Sequence, residues 1–509
     1  MRWLPLLLIA CHAASPSAPV TGSEVRVDRR VELVAIVMRL AGAEEYTQAV
    51  DAPYTKDVDA AFRPFANHPA IAMTKQLRES HEIAFDAPMH LAIHLDDQLQ
   101  PRALPDLVAN DERWRGVDVA AYAAQLRDFA RAAKLDAFMA AHAAYYRRVE
   151  AAFRTRIDAE NPRAWFDATF GARAGARFVV VPGLLDGGAN YGPHVTLDGA
   201  VEMYQVLGVH TLDAAGLPEI TGDTIATLIH EMAHSYVNPV FDRHQAELAR
   251  AGGVLYPLVA KLMEEQAYGD ARTMFDESGV RAVTALYLRD RHGPAAGADA
   301  EADEVRSGFV WTPELARVLD RFRKDHAKYP TLEAFMPEVV AFFDDVAARY
   351  AHGLPPQPFL GPINAAVEHA ALVPPTTKDA KLVAYVEMIR TKFFAGAGGA
   401  NIVAYGSPGS NPQVQRVLAQ SGIQLAADRI TLGTKTFTGP NLVLIACWPL
   451  TRETGAVIYT AASDADIVGI NSVYHGGTDW VVARRGDKGF ETLGMGDFRH
   501  ALDGVWKLP

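Results

Sequence analysis

Cysteine is almost absent from this chain, which has Cys11 and Cys447 as its two cysteines in 509 residues. Cys11 lies at the end of a predicted targeting segment, so Cys447 is alone in the folded part and a disulfide framework is excluded. The residues on both sides of Cys447 are apolar. We therefore interpret its thiol as an inert core group rather than a nucleophile.

Runs of positive charge and long apolar segments are also missing. The formal net charge is −12, with no Lys/Arg-rich run in the mature chain. An acidic surface repels phosphate backbones, so nucleic acid is not an expected partner. Beyond the N-terminus, no segment is apolar for long enough to cross a membrane. The remaining composition, 49% hydrophobic and 22% charged residues, is typical of a soluble globular protein.

The N-terminus carries the features of an export signal. Basic Arg2 precedes an apolar stretch, residues 3–10, that is too short to span a bilayer. Residues 8–11, Leu-Ile-Ala-Cys, resemble a bacterial lipobox, which implies cleavage before Cys11 and lipidation of its thiol. The alternative is an ordinary secretory signal cut near Ala13 or Ala14. In either case we expect an exported protein. With a lipidated Cys11, we expect it to be anchored in the bacterial cell envelope, on the periplasmic or outer-membrane face.

Hydrophobic periodicity predicts an α+β chain in which a mainly helical domain with a small sheet precedes a smaller C-terminal α/β domain. Strands are expected at 177–182 and 201–209, with a helix at 223–237. After a Pro-rich passage, strands and helices alternate. The predicted segments are a signal peptide at 1–10, a flexible tether at 11–23, the helical domain at 24–353, a Pro-rich linker at 354–375 and the α/β domain at 376–509.

The predicted helix at 223–237, capped by Thr221 or Asp223 and ended by Asn238-Pro239, contains the pattern His-Glu-Met-Ala-His. Residues i and i+4 share one helix face, so His230 and His234 can present two imidazoles to one metal ion. Zinc favours such nitrogen ligands. Glu231 stands beside them as the candidate general base, which would take a proton from the attacking water. We therefore predict one catalytic Zn²⁺.

A catalytic zinc needs a third protein ligand and an open position for water. A third histidine six residues after His234 is absent, because Val240 occupies that position. Glu277, at the start of a predicted helix, is the best candidate, which gives a gluzincin-like ligand set. In the thermolysin pattern an Asp follows this Glu by four residues, but Arg281 stands here, so the groups around the ligand must differ. The rival third ligands are Asp276, Glu264, Glu265 and His244.

The chain also resembles a bacterial HExxH family filed as a domain of unknown function. The resemblance covers most of residues 28–350 and is strongest at His230 to Pro239, where Ser-Tyr-Val-Asn-Pro follows the second histidine. The other matching segments are Val-Glu-Leu at 31–33, Arg-Leu-Ala-Gly at 39–42, Tyr-Thr-Lys-Asp-Val-Asp at 54–59, His-Pro-Ala at 68–70, and Glu277 with Val-Arg-Ala at 280–282. The resemblance implies a zincin-like metallopeptidase fold and says little about substrate.

Groups that contact substrate are less clearly marked. Residues 187–192 form a turn-rich segment between the two predicted strands, in which Gly187, Gly188, Asn190 and Tyr191 could form a rim for an extended peptide. A plain turn is the alternative. The transition state also requires a group that stabilises the oxyanion. Candidates for that role are Arg281, Tyr191, Tyr236 and Tyr287.

Two further patterns favour a structural interpretation. His90 and His94 share i,i+4 spacing, but no glutamate accompanies them. The Gly-Ser-Pro-Gly-Ser segment at 406–410 lies between a predicted strand and helix, where main-chain amides could bind an anion. It matches neither a Walker motif nor a nucleophile elbow, so an ordinary βα turn is expected.

These observations favour a zinc-dependent metallopeptidase that hydrolyses an extracytoplasmic protein or peptide. One alternative is an exported, non-catalytic binding protein that contains a metal. Structural zinc sites are usually closed by four protein ligands, often cysteines, and this chain has no cysteine there but does have Glu231. A second alternative is zinc-dependent hydrolysis of a non-peptide substrate of the cell envelope.

Overall fold

The computed structural model describes residues 24–48, 52–172, 176–209, 211–213, 215–368, 370–395 and 398–509. About 54% of the residues are helical and 17% lie in strands of several small sheets, which confirms the α+β class. The chain divides into two compact units, with the boundary between Tyr236 and Val237. The predicted signal peptide, tether and Cys11 lie outside the described residues. No helix in the described part of the chain is long and apolar enough to cross a membrane.

The first unit is built mainly from helices. Its described residues form α1 to α9: Arg29–Ala41, Glu44–Thr47, Pro53–Phe62, Pro69–His81, Ala87–Ile93, Leu104–Asn110, Val119–Ala132, Leu135–Glu160 and Pro162–Phe170. Helix α1 begins where Asp28 accepts a hydrogen bond from the main-chain N–H of Arg30. Every residue from Arg30 to Met38 is buried. Such an apolar helix, buried on all sides, forms the centre of this unit.

A five-stranded sheet lies in the same unit, with strands β1 to β5: Glu24–Val25, Arg177–Gly183, Asn190–Tyr191, His194–Leu197 and Ala200–Gly208. Strands β1, β2 and β5 are parallel, and β3 and β4 both pair antiparallel with β5. Strands β2 and β5 are buried almost throughout, as is expected of parallel strands covered on both faces. On one face Phe178 stacks on Tyr236, with ring centroids 6.1 Å apart. On the other, Arg30 donates to the Tyr204 hydroxyl over 3.0 Å.

Helix α10, Gly222–Phe241, carries the His-Glu-Met-Ala-His pattern. Thr221 caps it, because its hydroxyl accepts from the main-chain N–H of Thr224 over 3.2 Å. The expected end at Asn238-Pro239 is wrong, since the helix continues through Pro239 to Phe241. Phe241 is fully buried beside Gly279, where a Cβ would lie 2.9 Å from its Cζ. Burying this ring compensates for the hydrogen bond that Pro239 cannot donate.

The second unit contains helices and two further sheets. Its described helices are α11 to α19: Gln245–Glu265, Ala271–His292, Pro294–Arg306, Thr312–Lys324, Leu332–Tyr350, Ile363–Glu368, Ala380–Phe393, Pro412–Ser421 and Asp464–Ile467. The strands are β6 to β14: Ala370–Val373, Asn401–Tyr405, Gln424–Ala426, Arg429–Leu432, Lys435–Thr438, Leu442–Pro449, Gly455–Ala461, Trp480–Gly486 and Gly489–Gly496. Helix α12 begins where Asp270 accepts from the main-chain N–H of Thr273 over 2.7 Å.

The larger of these sheets has the order β14-β13-β11-β12-β7-β6, and the smaller has the order β10-β9-β8. Strands β6, β7 and β12 run parallel, and β11, β13 and β14 are added in antiparallel pairs. One apolar core cluster extends over the described residues of this part of the chain, from Phe359 to Trp506. The predicted linker at 354–375 includes α16 and the edge strand β6. The segment boundaries expected from the sequence remain a prediction.

Candidate metal centre

His230 and His234 lie one turn apart on α10, and both side chains are partly exposed. Their Nε2 atoms are 3.1 Å apart, and their ring planes are inclined at 83°. Two nitrogens bound at about 2.0–2.1 Å to one tetrahedral zinc ion are separated by roughly 3.3 Å. The two imidazoles therefore already have the separation that a shared zinc ion requires.

Glu277 supplies a third group from α12, and it is buried. One ligand atom from each of His230, His234 and Glu277 lies within 4.8 Å of the other two. Among the described residues, no other group of three or more His, Cys, Asp and Glu side chains meets this test. Two imidazole nitrogens and one carboxylate oxygen form the donor set of many catalytic zinc sites. The three residues thus form a possible metal-binding triad.

The rival third ligands do not join this triad. His244 instead places its Nε2 2.9 Å from a carboxylate oxygen of Glu333. Glu264 and Glu265 are exposed at the end of α11. Asp276 is buried next to Glu277 in the chain, and the side-chain amide of Gln245 approaches its carboxyl to 3.5 Å.

Glu231 lies against the main chain of Gly192, in the turn between β3 and β4. A Cβ atom placed on Gly192 would be 2.7 Å from Glu231 Oε2, closer than real Cβ contacts allow. Only glycine therefore fits beside this carboxylate without a shift of the glutamate. Gly192 is the last residue of the turn-rich segment at 187–192, but the sequence does not mark it as a neighbour of Glu231.

Residues 24–342, more than half of the chain, match a family model described as "Domain of unknown function (DUF4932)". The chain belongs to this family. The match confirms the expected resemblance to a domain family of unknown function, and the metallopeptidase identity stays a prediction. The triad, Glu231 and Gly192 all lie inside the matched region. Neither the curated proteins nor the solved structures provide a match to the chain.

The candidate substrate-binding residues of this DUF4932 chain lie in the loop before β3 and in β3 itself. Gly188 is exposed. The side chain of Asn190 holds the loop together, because its Oδ1 accepts from the N–H of Gly208 over 3.0 Å and its Nδ2 donates to the Gly188 carbonyl over 3.2 Å. The Tyr191 ring is buried and stacks on Tyr46. Since the Asn190 side chain already bonds to the main chain and the Tyr191 ring is buried, the main chain is what this segment offers to a ligand.

Strand β4, by contrast, is covered along its outer side by helix α6. Asn110 Nδ2 donates to the His194 carbonyl over 3.1 Å. Asp106 Oδ2 accepts from the main-chain N–H of Thr196 over 2.9 Å. Because these side chains already occupy a carbonyl and an N–H on the outer side of β4, a further strand could pair there only by displacing α6.

Arg281 lies one turn after Glu277 on α12 and is surrounded by polar groups. Its Nε donates to Glu277 Oε2 over 3.2 Å, its Nη2 donates to the Tyr268 hydroxyl over 3.0 Å, and its Nη1 donates to Glu304. The guanidinium also lies 4.4 Å from the centre of the Phe309 ring. The sequence did not predict that Tyr268 and Glu304 contact Arg281, because nothing in their local pattern indicates it.

The electrostatics of this cluster keep Arg281 charged. Burial lowers its pKa, but the carboxylates of Glu304 and Glu277 outweigh that effect, and the net shift is upward. Burial and the nearby charge of Glu277 raise the pKa of Tyr268 to about 12, so its hydroxyl keeps its proton at neutral pH. The cluster therefore presents a cation and a hydroxyl beside the Glu277 carboxylate.

The remaining candidates from the sequence, Tyr236, Tyr287, His90 and His94, are buried. Tyr236 stacks on Phe166 with ring centroids 4.9 Å apart, and Tyr287 is fully buried. His94 is also fully buried, with its two nitrogens 2.7 Å from the His90 carbonyl and 3.1 Å from Asp106 Oδ2. These contacts hold the His94 ring in the core, and the structural role expected of His90 and His94 stays a prediction.

The turn at 406–410 is occupied by a carboxylate of the same chain. Asp464 Oδ1 accepts from the main-chain N–H of Ser407 over 2.8 Å and from the hydroxyl of Ser410 over 2.7 Å. The position that an external anion would take at this turn is thus filled by Asp464, as befits an ordinary βα turn.

Proposed function

We propose that this chain is a zinc-dependent metallopeptidase that hydrolyses peptide bonds of an extracytoplasmic protein or peptide. The convergence of His230, His234 and Glu277 carries the proposal. Three protein ligands of this type leave a coordination position open, which distinguishes a catalytic zinc site from a structural one.

In this proposal each residue has a defined task. Zinc, when bound, supplies a Lewis acid that polarises the scissile carbonyl and makes water nucleophilic at neutral pH. His230, His234 and Glu277 hold the ion. Glu231 takes a proton from the attacking water on its carboxylate and passes it to the leaving amine. The absence of a side chain on Gly192 leaves room for the Glu231 carboxylate in this position.

The substrate is proposed to lie along the main chain of residues 188–192. An extended peptide recognises a strand mainly through main-chain hydrogen bonds. This suits a segment in which Asn190 already bonds to the main chain and the Tyr191 ring is buried. Strand β4 is excluded from this role, because Asp106 and Asn110 occupy its outer side. The proposed contact is therefore a short stretch next to Glu231.

The cellular setting is part of the proposal. The N-terminal segment indicates export, and lipidation of Cys11 would hold the protein to a membrane surface of the cell envelope. This anchor is the one membrane attachment we propose. With a net charge of −12, no nucleic-acid partner is proposed.

Zinc content tests the metal site directly. Elemental analysis of the purified chain should find about one zinc ion per molecule, because the three ligands form one site. His230→Ala and Glu277→Ala should lose it or bind it much more weakly. Glu265→Ala, which changes an exposed glutamate, is the matched control and should retain it. A chain without zinc after reconstitution would rule out the metalloenzyme proposal.

Hydrolysis of peptide libraries then tests the reaction. Glu231→Gln should keep its zinc and lose about 10²–10⁴-fold in rate, the usual contribution of a general base. Equal rates in this variant and the wild type would remove Glu231 from its proposed task. Cleavage of cell-wall glycans or esters without any cleavage of peptides would replace the peptidase by a hydrolase of another substrate class.

A further inference from the structure

The position of Arg281 bears on how Glu277 could act as a ligand. A glutamate side chain has several rotatable bonds, and fixing it costs conformational entropy when it binds a metal. Glu277 and Arg281 are one helical turn apart, and Arg281 Nε lies 3.2 Å from Glu277 Oε2. A neighbouring donor of this kind limits the orientations of the carboxylate before any ion arrives.

Arg281 is itself fixed by three other groups. Glu304 accepts from Nη1, and the Tyr268 hydroxyl accepts from Nη2 over 3.0 Å. The Phe309 ring covers the face of the guanidinium at 4.4 Å. A planar guanidinium bound along its edges and covered on a face cannot turn away from Glu277. The same contacts leave it poorly placed to reach a substrate, since its side chain is only 13% exposed.

Charge balance supports the same role. Glu277 and Glu304 are both buried or nearly so, and two carboxylates in a low-dielectric environment repel each other. Arg281 lies between them and contacts both. It therefore offsets their repulsion through a hydrogen bond to each.

On these grounds we infer that Arg281 is a positioning residue, which holds the Glu277 carboxylate in the orientation that binds zinc and does not contact the substrate. The inference rests on the zinc site proposed above. In this chain Arg281 stands where the thermolysin pattern has an Asp, and it donates directly to the carboxylate of the proposed ligand.

The test is zinc affinity, measured on the full chain by competition with a chelator of known affinity. Arg281→Ala should bind zinc about 10–100-fold more weakly, the usual effect of losing a group that orients a ligand. Arg281→Lys should fall between the two, because an ammonium keeps the charge but not the planar fork. Methylguanidinium added at millimolar concentration should restore much of the affinity of Arg281→Ala.

Two further variants separate positioning from general stability. Arg289→Ala removes another arginine of α12 that pairs with Asp320, and it should leave zinc affinity unchanged. If Arg281→Ala does not fold, Arg281→Met combined with Glu304→Gln removes the unpaired carboxylate as well. This double variant should still bind zinc at least 10-fold more weakly than the wild type.

Distinct outcomes overturn the inference and the proposed function. Wild-type zinc affinity in Arg281→Ala or in the double variant would overturn the positioning role alone. A folded Arg281→Ala chain with weak binding that methylguanidinium does not improve would also overturn it. A wild-type chain that binds no zinc would instead remove the metal site on which the inference rests.

Discussion

Asp186 and Asp479 are fully buried carboxyl groups in different units, and their surroundings are opposite. Asp186 lies in the loop between β2 and β3, where neither carboxyl oxygen has a hydrogen-bond partner among the described residues. Asp479 immediately precedes β13. Its Oδ2 accepts from the N–H of Phe498 over 3.0 Å and lies 2.6 Å from His500 Nε2 and 3.6 Å from Arg306 Nη1.

Asp186 and Asp479 are thus buried in two different ways. Burial alone raises the pKa of Asp186 to about 7, so this group gives up its charge. Around Asp479 the charges are paired. Burial lowers the pKa of His500, but Asp303 and Asp479 outweigh it and raise that pKa to about 9. A carboxyl group that is proposed to bind a metal, as Glu277 is, suits the second arrangement, because a protonated carboxyl binds metal poorly.

The largest effect is expected from Asp479→Ala. Loss of this carboxylate leaves the charges of His500 and Arg306 without a buried partner and the N–H of Phe498 without an acceptor. Breaking one side of a buried ion pair costs about 3–5 kcal/mol. Scanning calorimetry at pH 7 should show the corresponding fall in the unfolding temperature. Asp479→Asn, which keeps an acceptor for Phe498, should lose less, and equal stability of Asp479→Ala and the wild type would refute the paired arrangement.

Asp186→Asn should raise the stability of the folded chain, whereas Asp479→Ala lowers it. The folded-state pKa of about 7 lies above the ordinary value of 3.8, so the folded chain loses stability as the pH rises through this window. Asn has the shape of the neutral acid and does not ionise. At pH 8 we expect a gain on the order of 2 kcal/mol, after discounting the value of 1.36 kcal/mol per pKa unit for relaxation.

The control for this prediction is pH 4, where Asp186 of the folded wild type is protonated and, like the amide of the variant, carries no charge. There the two unfolding temperatures should nearly coincide. Destabilisation of Asp186→Asn at pH 8 would mean that the wild-type carboxyl has a partner or an ionised role that the variant cannot reproduce.

His500→Gln should reveal a second pH window. The pKa of His500 is raised from 6.5 to about 9, so its stabilising effect is complete below pH 6.5 and is lost as the pH rises through 9. We expect the variant to lose about 1–2 kcal/mol at pH 6 and much less at pH 10. Calorimetry at the two pH values measures the difference. A loss of equal size at both would indicate packing of the ring rather than the ion pair.

The sequence predicted the parts of the site that follow a local rule. The i,i+4 spacing of His230 and His234 requires only a helix. Glu277 was preferred among five candidate third ligands for its place at the start of another predicted helix, although α12 itself begins earlier, at Ala271. Residues that match the family also pair with one another, as Arg39 and Asp59 do over 2.8 Å. Such pairs cannot be inferred from one sequence, because they join separate helices.

The remaining contacts of the site join a loop to a helix or one helix to another, so a local sequence pattern does not reveal them. Gly192 could be seen as a turn residue, but not as the neighbour of Glu231. Tyr268 and Glu304 reach Arg281 from a loop and from another helix, with no periodicity to mark them. Helix α10 continues past Pro239 because Phe241 is buried, and that tertiary gain overrides the local signal to stop.

The smallest predicted effect concerns Glu32, which is intermediate between the two cases. Like Asp186 it is fully buried, but it lies in α1 and the Tyr54 hydroxyl donates to it. Burial raises its pKa to about 8 against the opposing effect of this hydrogen bond. Tyr54→Phe removes this donor and should cost about 1 kcal/mol. The loss should be larger at pH 9 than at pH 5, because the hydroxyl stabilises the ionised acid most. Equal losses at both pH values would show that Tyr54 acts through its contact with Tyr146 instead, whose hydroxyl is 3.0 Å away.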